Sequence, residues 1–256
     1  MASSQSLRSA LAFKGGNALD FVWQPNRSTL DLDFSSTAPE LNEVQLDARL
    51  AAALSLVGRQ LGISFRVHSV KRNPPGPDSS FVTFEARVGY ALSDDQRNTR
   101  ALFEGRSSTL VIPVEVSINE PVCSTEEVDV RASHRLRVCT LEDIVSEKLR
   151  SLLQQPIRNR QRRQDLLDIA VTLKRSAELD PERIARFLNA KAAARNVPVS
   201  RAAFRDERVR DMARKDYDAL KSTTRELFIP FEEAYSLLQG FVASLPIPDA
   251  LTSTST

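Results

Sequence analysis

The stretch KGGNALDFVWQPNRSTLDLDF, from Lys14 to Phe34, sets two glycines, Gly15 and Gly16, ahead of an Asp-x-Asp made by Asp31 and Asp33. Side chains alternate along a strand, so these two carboxylates share a face about 7 Å apart. Such a pair can hold one or two divalent cations, and two ions roughly 4 Å apart stabilise both the attacking and the leaving oxygen of a phosphoryl displacement. That chemistry asks the protein mainly for positioning and charge neutralisation. Gly15 and Gly16 suit it, because residues without a Cβ let backbone amides approach phosphate oxygens, and a helix starting at Asn17 would turn its positive end toward them. Arg27 stands four residues before Asp31, within reach of a phosphate or of the metal-bound carboxylates. Taken singly, a Gly-Gly is an ordinary turn and an Asp-x-Asp an ordinary strand end; the order and spacing together favour a site.

A second constellation lies downstream: Glu147, Lys148 and Leu149, then Arg163, Gln164, Asp165, Leu166, Leu167, Asp168 and Ile169. Asp165 and Asp168 are three apart and share one helix face, with Leu166, Leu167 and Ile169 on the buried side. By themselves these residues also fit salt bridging between adjacent helices. A third carboxylate for the metal could come from Glu115 in VIPVEVSI, between valines of opposite facing, or from its rival Glu85 in FEARV. Either could instead face solvent, the commoner fate of a strand glutamate.

The elements needed to position these groups are legible in the periodicity. Short apolar or alternating runs from Phe13 to about Ile118 predict strands. A helix is predicted from about Glu40 to Gly62, with Gly62 as its stop. Ser64 to Lys71 and FVTFEARVGYAL predict a strand pair around the loop RNPPGPDSS, and TLVIPVEVSI a third strand whose Pro113 favours an edge or a bulge. After about residue 125 the strand signals stop and amphipathic segments take over. Thr140 can cap LEDIVSEKLRSLLQQ, with Glu142 and Asp143 complementing the helix dipole. Further helices are predicted over 161–175, 181–194, 200–221 and 231–244. The fold class is therefore α+β, a mixed-sheet domain (1–125) followed by a mostly helical domain (126–247) and a disordered tail (248–256). Trp23 and the phenylalanines at 13, 21 and 34 are expected in the core.

With 256 residues and 41% hydrophobic content, the chain can bury a real core. The 35 basic residues nearly balance the 33 acidic ones, so whole-protein charge does not argue for a polyanion partner. Locally it does: from Arg131 to Arg175 eleven Lys or Arg face five acids, densest in RNRQRR, Arg158–Arg163. Such a face suits a triphosphate or RNA held by its phosphates, although solvated helix surfaces often look the same. No aromatics interleave there, so base stacking is not expected. Cys123 and Cys139 match no zinc spacing, His68 and His134 are isolated, and Ser28 and Thr29 have no neighbouring His for triad chemistry. No segment approaches the roughly 20 apolar residues that cross a bilayer, and no signal peptide is seen; a cytoplasmic protein without membrane contact is expected.

The pattern GGxAL, an apolar stretch, then R-x-[ST]-x-D-[LIV]-D-F closely resembles the AbiEii-type nucleotidyltransferases, toxin components of abortive-infection toxin–antitoxin pairs. Gly15, Gly16, Ala18, Leu19, Arg27, Thr29, Asp31, Leu32, Asp33 and Phe34 carry the first motif, and Glu147–Leu149 with Arg163–Ile169 carry a second, departing by one inserted Gln164. The resemblance implies a polymerase-β-like minimal nucleotidyltransferase domain joined to a helical region. It implies transfer of a nucleoside monophosphate from a nucleoside triphosphate to an acceptor such as tRNA, another RNA or a protein hydroxyl. Asp31, Asp33 and Glu115 would bind Mg2+ or Mn2+; Gly15, Gly16, Arg27, Lys148 and Arg163 would contact the nucleotide. Lys148 and Asp165 would join Asp31 and Asp33 in catalysis, with Asp168 in support. A cognate antitoxin and a role in phage defence are further implications. Two other readings remain open at this point: a nucleotide-binding regulator without turnover, and an RNA-binding protein acting through its basic helices.

Overall fold

The structure, a computed structural model, describes residues 1–27, 29–76, 81–92, 94–105, 110–131, 134–175 and 178–250. Ser28, the end of the RNPPGPDSS loop and residues 251–256 of the expected tail lie outside the described residues. The chain divides into two compact units, one of Met1–Ala18 with Thr29–Cys139, the other of Leu19–Ser28 with the chain from Thr140 onward.

The first unit is built on a mixed sheet of β1 (Leu11–Lys14), β2 (Leu32–Ser36), β3 (Ile63–Asn73), β4 (Val82–Leu92), β5 (Val111–Ile118), β6 (Thr125–Arg131) and β7 (His134–Cys139), in the order β3-β4-β5-β2-β1-β7-β6. The β2–β5 and β1–β7 pairs are parallel and the others antiparallel. Because register partners share a face, the row Phe13–Phe34–Val116–Phe84 is apolar across four strands, and all four are buried. Phe13 and Phe34 touch, with ring centroids 5.0 Å apart. Helix α1 (Gln5–Ala10) leads into β1, the single turn α2 (Gly15–Ala18) follows it, and α3 (Glu43–Leu61) packs against β3 through its buried stripe. Asn42 and Gln45 close a reciprocal capping box at the start of α3, and Gly62 ends it in the left-handed region at φ 65°. A short α4 (Gln96–Phe103) packs on β4.

Pro113 is not on an edge strand, since β5 lies between β4 and β2. Register with β2 begins only at Val114, while Pro113 itself opposes Arg87 of β4. At that position β5 is locally an edge, which spares the missing N–H a partner. Strands also continue past residue 125: the β6–β7 hairpin carries the first unit to Cys139, so its boundary falls at 139/140 rather than the expected 125/126. The hairpin escapes a hydropathy reading because its strands, TEEVDVR and HRLRVC, are rich in charged residues.

The second unit is helical: α5 (Leu141–Arg158), α6 (Arg163–Arg175), α7 (Pro181–Ala194), α8 (Arg201–Phe204), α9 (Glu207–Arg214), a 3-10 segment Tyr217–Thr223 and α10 (Phe231–Ser244). Leu149, Leu152, Leu166, Leu167, Ile169 and Leu188 centre its core. Thr140 caps α5 by accepting from the Asp143 amide at 3.3 Å. The single helix expected over 200–221 is divided into α8, α9 and the 3-10 segment; Ser200 and Asp206 cap local amides and so start α8 and α9 as new helices. Residues 19–28 belong to this unit because Asn26 bonds both backbone groups of Leu227, donating to its carbonyl at 3.1 Å and accepting from its amide at 2.9 Å. Arg225 adds an amide bond to the Asn26 carbonyl at 2.7 Å and an ion pair to Asp20.

Candidate active site

In the first unit the face opposite the phenylalanine row is polar. Its register aligns Lys71 (β3), Glu85 (β4), Glu115 (β5), Asp33 (β2) and Lys14 (β1) in one line across five strands. Glu115 and Asp33 are thus direct neighbours on adjacent strands, with Cβ atoms roughly 5 Å apart. Glu85 lies one strand farther out, where it accepts a hydrogen bond from the Asn73 carboxamide. Val114 and Val116, flanking Glu115, are buried on the other side, as alternation requires. Asp31 immediately precedes β2.

Gly15 closes on this row. Its φ is 73°, and a Cβ built there would stand 2.3 Å from Asp33 Oδ2. Only glycine allows both the backbone turn and this approach. The helix expected from Asn17 is instead the single turn Gly15–Ala18, which runs into a π-turn over Leu19–Trp23. Asn17 does other work: buried, it donates to the carbonyls of Asp31 at 2.6 Å and Thr29 at 3.2 Å, and accepts from the Thr29 amide at 3.3 Å. It clips the glycine turn to the backbone that presents Asp31. Sequence reasoning missed it because it fills the variable place in GGxAL. Lys14 was also missed: its ammonium donates to Ser117 Oγ at 3.0 Å and pairs with Glu120. Phe21, expected in the core, is 64% exposed.

The second predicted group assembles inside the helical unit. Lys148 of α5 donates to Asp165 Oδ1 at 2.9 Å and to Asp168 Oδ2 at 2.7 Å. Arg27 forks onto the same Asp168, Nε to Oδ1 at 2.8 Å and Nη2 to Oδ2 at 2.7 Å. Arg27, Lys148 and Asp168 are all buried and Asp165 is partly so, and the two cations and two carboxylates neutralise one another. Burial alone would push Lys148 down and Asp168 up. The opposite charges outweigh it, raising Lys148 through Asp165 and Asp168, and lowering Asp168 through Lys148 and Arg27. Of the arginines expected at the nucleotide, Arg27 pairs with Asp168 and Arg163 with Asp216 at 3.2 Å, while Arg162 approaches Asp165 at 3.9 Å. Arg163 points away because it opens α6, two and five residues before aspartates whose face Lys148 already occupies.

Among the described residues no three His, Cys, Asp or Glu side chains are gathered into a ready cation cage. The Asp33–Glu115 pair still fits Mg2+ as a donor set: this small hard cation takes one or two carboxylates and completes its shell with water and substrate phosphates. No helix of the described residues is long and apolar enough to cross a membrane.

The sequence model described as "Nucleotidyl transferase AbiEii toxin, Type IV TA system" matches residues 2–237. No curated protein matches the sequence. Among solved structures, JHP933 from Helicobacter pylori superposes with a TM-score of 0.51 at 19% identity, covering 92% of this chain and 83% of its own. A second H. pylori structure gives the same TM-score and identity, covering 92% and 85%. MenT4, nucleotidyltransferase toxin Rv2826c from Mycobacterium tuberculosis H37Rv, follows at 0.47 and 15%, covering 93% and 85%. The H. pylori likenesses establish a shared fold.

Proposed function

Because the chain belongs to the AbiEii nucleotidyl transferase toxin family of type IV toxin–antitoxin systems, we propose that it moves a nucleoside monophosphate from a nucleoside triphosphate onto an acceptor, with Mg2+ or Mn2+ held by Asp31, Asp33 and Glu115. The observation that carries this reading is the approach of Gly15 to Asp33, with Glu115 as the direct neighbour on β5. A glycine turn and two carboxylates on one sheet face bring backbone amides and cation ligands to the same place.

The bound cation would neutralise phosphate charge and stabilise the oxygens of the displacement. The chain's own part is positional. β2 and β5 hold Asp33 and Glu115 at fixed register, Asn17 holds the backbone of Asp31, and Gly15 and Gly16 leave room for triphosphate oxygens. Lys148 and Asp165 carry a second part of the reading on the strength of their motif: both are proposed as required for turnover. Asp168 already accepts three donors and is assigned support of Lys148. RNA, tRNA included, is the proposed acceptor, bound through phosphates; the setting is the cytoplasm, the role growth arrest or phage defence, and the restraint a cognate antitoxin.

The test is incubation with Mg2+, each α-labelled nucleoside triphosphate in turn and total RNA, alongside Asp31→Ala plus Asp33→Ala. Label on RNA or protein that depends on the pair supports the reading. Mg2+-dependent nucleotide binding without any transfer would favour a regulator instead.

A further inference from the structure

Leu30 is the most exposed large apolar side chain among the described residues, at 87%, and it immediately precedes Asp31. A lone exposed leucine is ordinary on a protein surface; this one differs in its backbone and its place. The backbone on either side of it is clipped by one buried carboxamide. Asn17 accepts from the Thr29 amide at 3.3 Å and donates to the carbonyls of Thr29 at 3.2 Å and Asp31 at 2.6 Å. The Thr29 hydroxyl adds a bond to the Asp31 carbonyl at 3.3 Å, spanning Leu30 directly. Asn17 belongs in turn to the Gly15–Ala18 turn, whose first residue lies against the Asp33 carboxylate. Leu30, the glycine turn and Asp33 are thus tied together within the first unit.

A ligand seated on the glycine turn and a cation is a polyanion at that end, and a leucine offers phosphate oxygens neither a donor nor a charge. What it can cover is apolar surface elsewhere on the same ligand, which a nucleotide carries on the faces of its base, one sugar away from the phosphates. We propose that Leu30 is a platform for the base of the bound nucleoside triphosphate, its side chain packing on the flat face of the ring. The inference rests on the reading of Gly15, Gly16 and Asp33 as the triphosphate and cation site. Contact with a ring face responds to area and not to the hydrogen-bonding edge, so it favours purines over pyrimidines without telling adenine from guanine.

The test is titration calorimetry in Mn2+ with ligands that share the phosphates and differ in the base: the four α,β-methylene nucleoside triphosphates, which cannot release pyrophosphate, and inorganic tripolyphosphate. Leu30→Ser is expected to weaken the purine analogues about fivefold, as uncovering roughly half of a leucine side chain does, the pyrimidine analogues less, and tripolyphosphate not at all. Leu30→Met, still apolar, should keep the native affinities. An exposed position leaves folding undisturbed, which thermal unfolding checks. Equal weakening of tripolyphosphate and nucleotides overturns the proposal by assigning the effect to the backbone of the site. Unchanged affinity for all four analogues overturns it as well, and loss of labelled RNA retention alongside that result moves Leu30 to the acceptor. Asp33→Asn is the separate control. Unchanged Mn2+-dependent binding of every ligand there removes the cation reading itself, whereas loss there with a silent Leu30→Ser removes only the role of Leu30.

Discussion

Arg27 and Asp168 meet through two parallel hydrogen bonds, at 2.8 and 2.7 Å, with both side chains buried. The fork ties residues 19–28 to α6, and through Asp168 it also fixes Lys148. An arginine that the sequence offers to a phosphate is thus committed inside the protein, where its planar fork matches a carboxylate better than a lysine could.

Removing that arginine leaves a buried carboxylate with Lys148 as its remaining cation. Arg27→Met is therefore expected to cost about 3–5 kcal/mol of stability, the usual penalty for breaking a buried pair from one side. Arg27→Lys should fall between it and the native chain, because an ammonium cannot make both bonds. Urea unfolding checks this; a loss within experimental error would mean the fork contributes no net stability.

The same group sets the pH profile. Asp168 is lowered from its ordinary 3.8, so its contribution is complete above that value and is lost as pH falls through the lower folded value. Lys148 is raised above 10.5, so its contribution is complete below 10.5 and is lost as pH climbs through the higher folded value. Tyr217, raised by burial and then by Asp168 and Asp218, loses stability on the same alkaline side. Unfolding free energy should be flat between these limits as far as this group is concerned and fall outside them. Asp168→Asn should flatten the acid limb, measured as the urea midpoint against pH.

Much of this was legible before any coordinates. The helix ending at Gly62, the Thr140 cap and helices 181–194 and 231–244 announce themselves through caps and periodicity. So do the strand that carries Asp33 and the salt bridging of Lys148 with Asp165 and Asp168, although Asp31 falls just before that strand. What escaped were features decided by distant partners. The β6–β7 strands are too charged to read as a sheet, and β1 is four residues long. Arg27 and Asp168 are 141 residues apart, Lys14 and Glu120 are 106 apart, and no local spacing encodes either pair.

Gly15→Ala should abolish nucleotidyl transfer, by about a hundredfold or more, because the methyl would displace the Asp33 carboxylate and the residue would have to hold φ 73°. Gly62→Ala is the informative comparison. It shares the left-handed backbone, at φ 65°, but a Cβ there meets nothing within 4 Å. It should lose only about 1–2 kcal/mol in strain and keep its turnover. Equal loss of activity in both would attribute the Gly15 effect to backbone strain alone.

The choice between Glu115 and Glu85 can be settled by isosteric substitution. Glu115 stands directly beside Asp33 in the parallel β2–β5 register, whereas Glu85 is one strand beyond and already accepts from Asn73. A cation held by Asp33 can be shared with a carboxylate on the neighbouring strand but not with one two strands away, given spacings of about 4.8 Å per strand. Glu115→Gln should therefore lower turnover by about a hundredfold and raise the Mg2+ concentration needed for half-maximal rate, as loss of a metal ligand does. Glu85→Gln should change either quantity by less than about threefold, because it removes charge only at a distance. The reverse order in a Mg2+ titration of label transfer would move the third ligand to β4 and require a cation bound farther along the row.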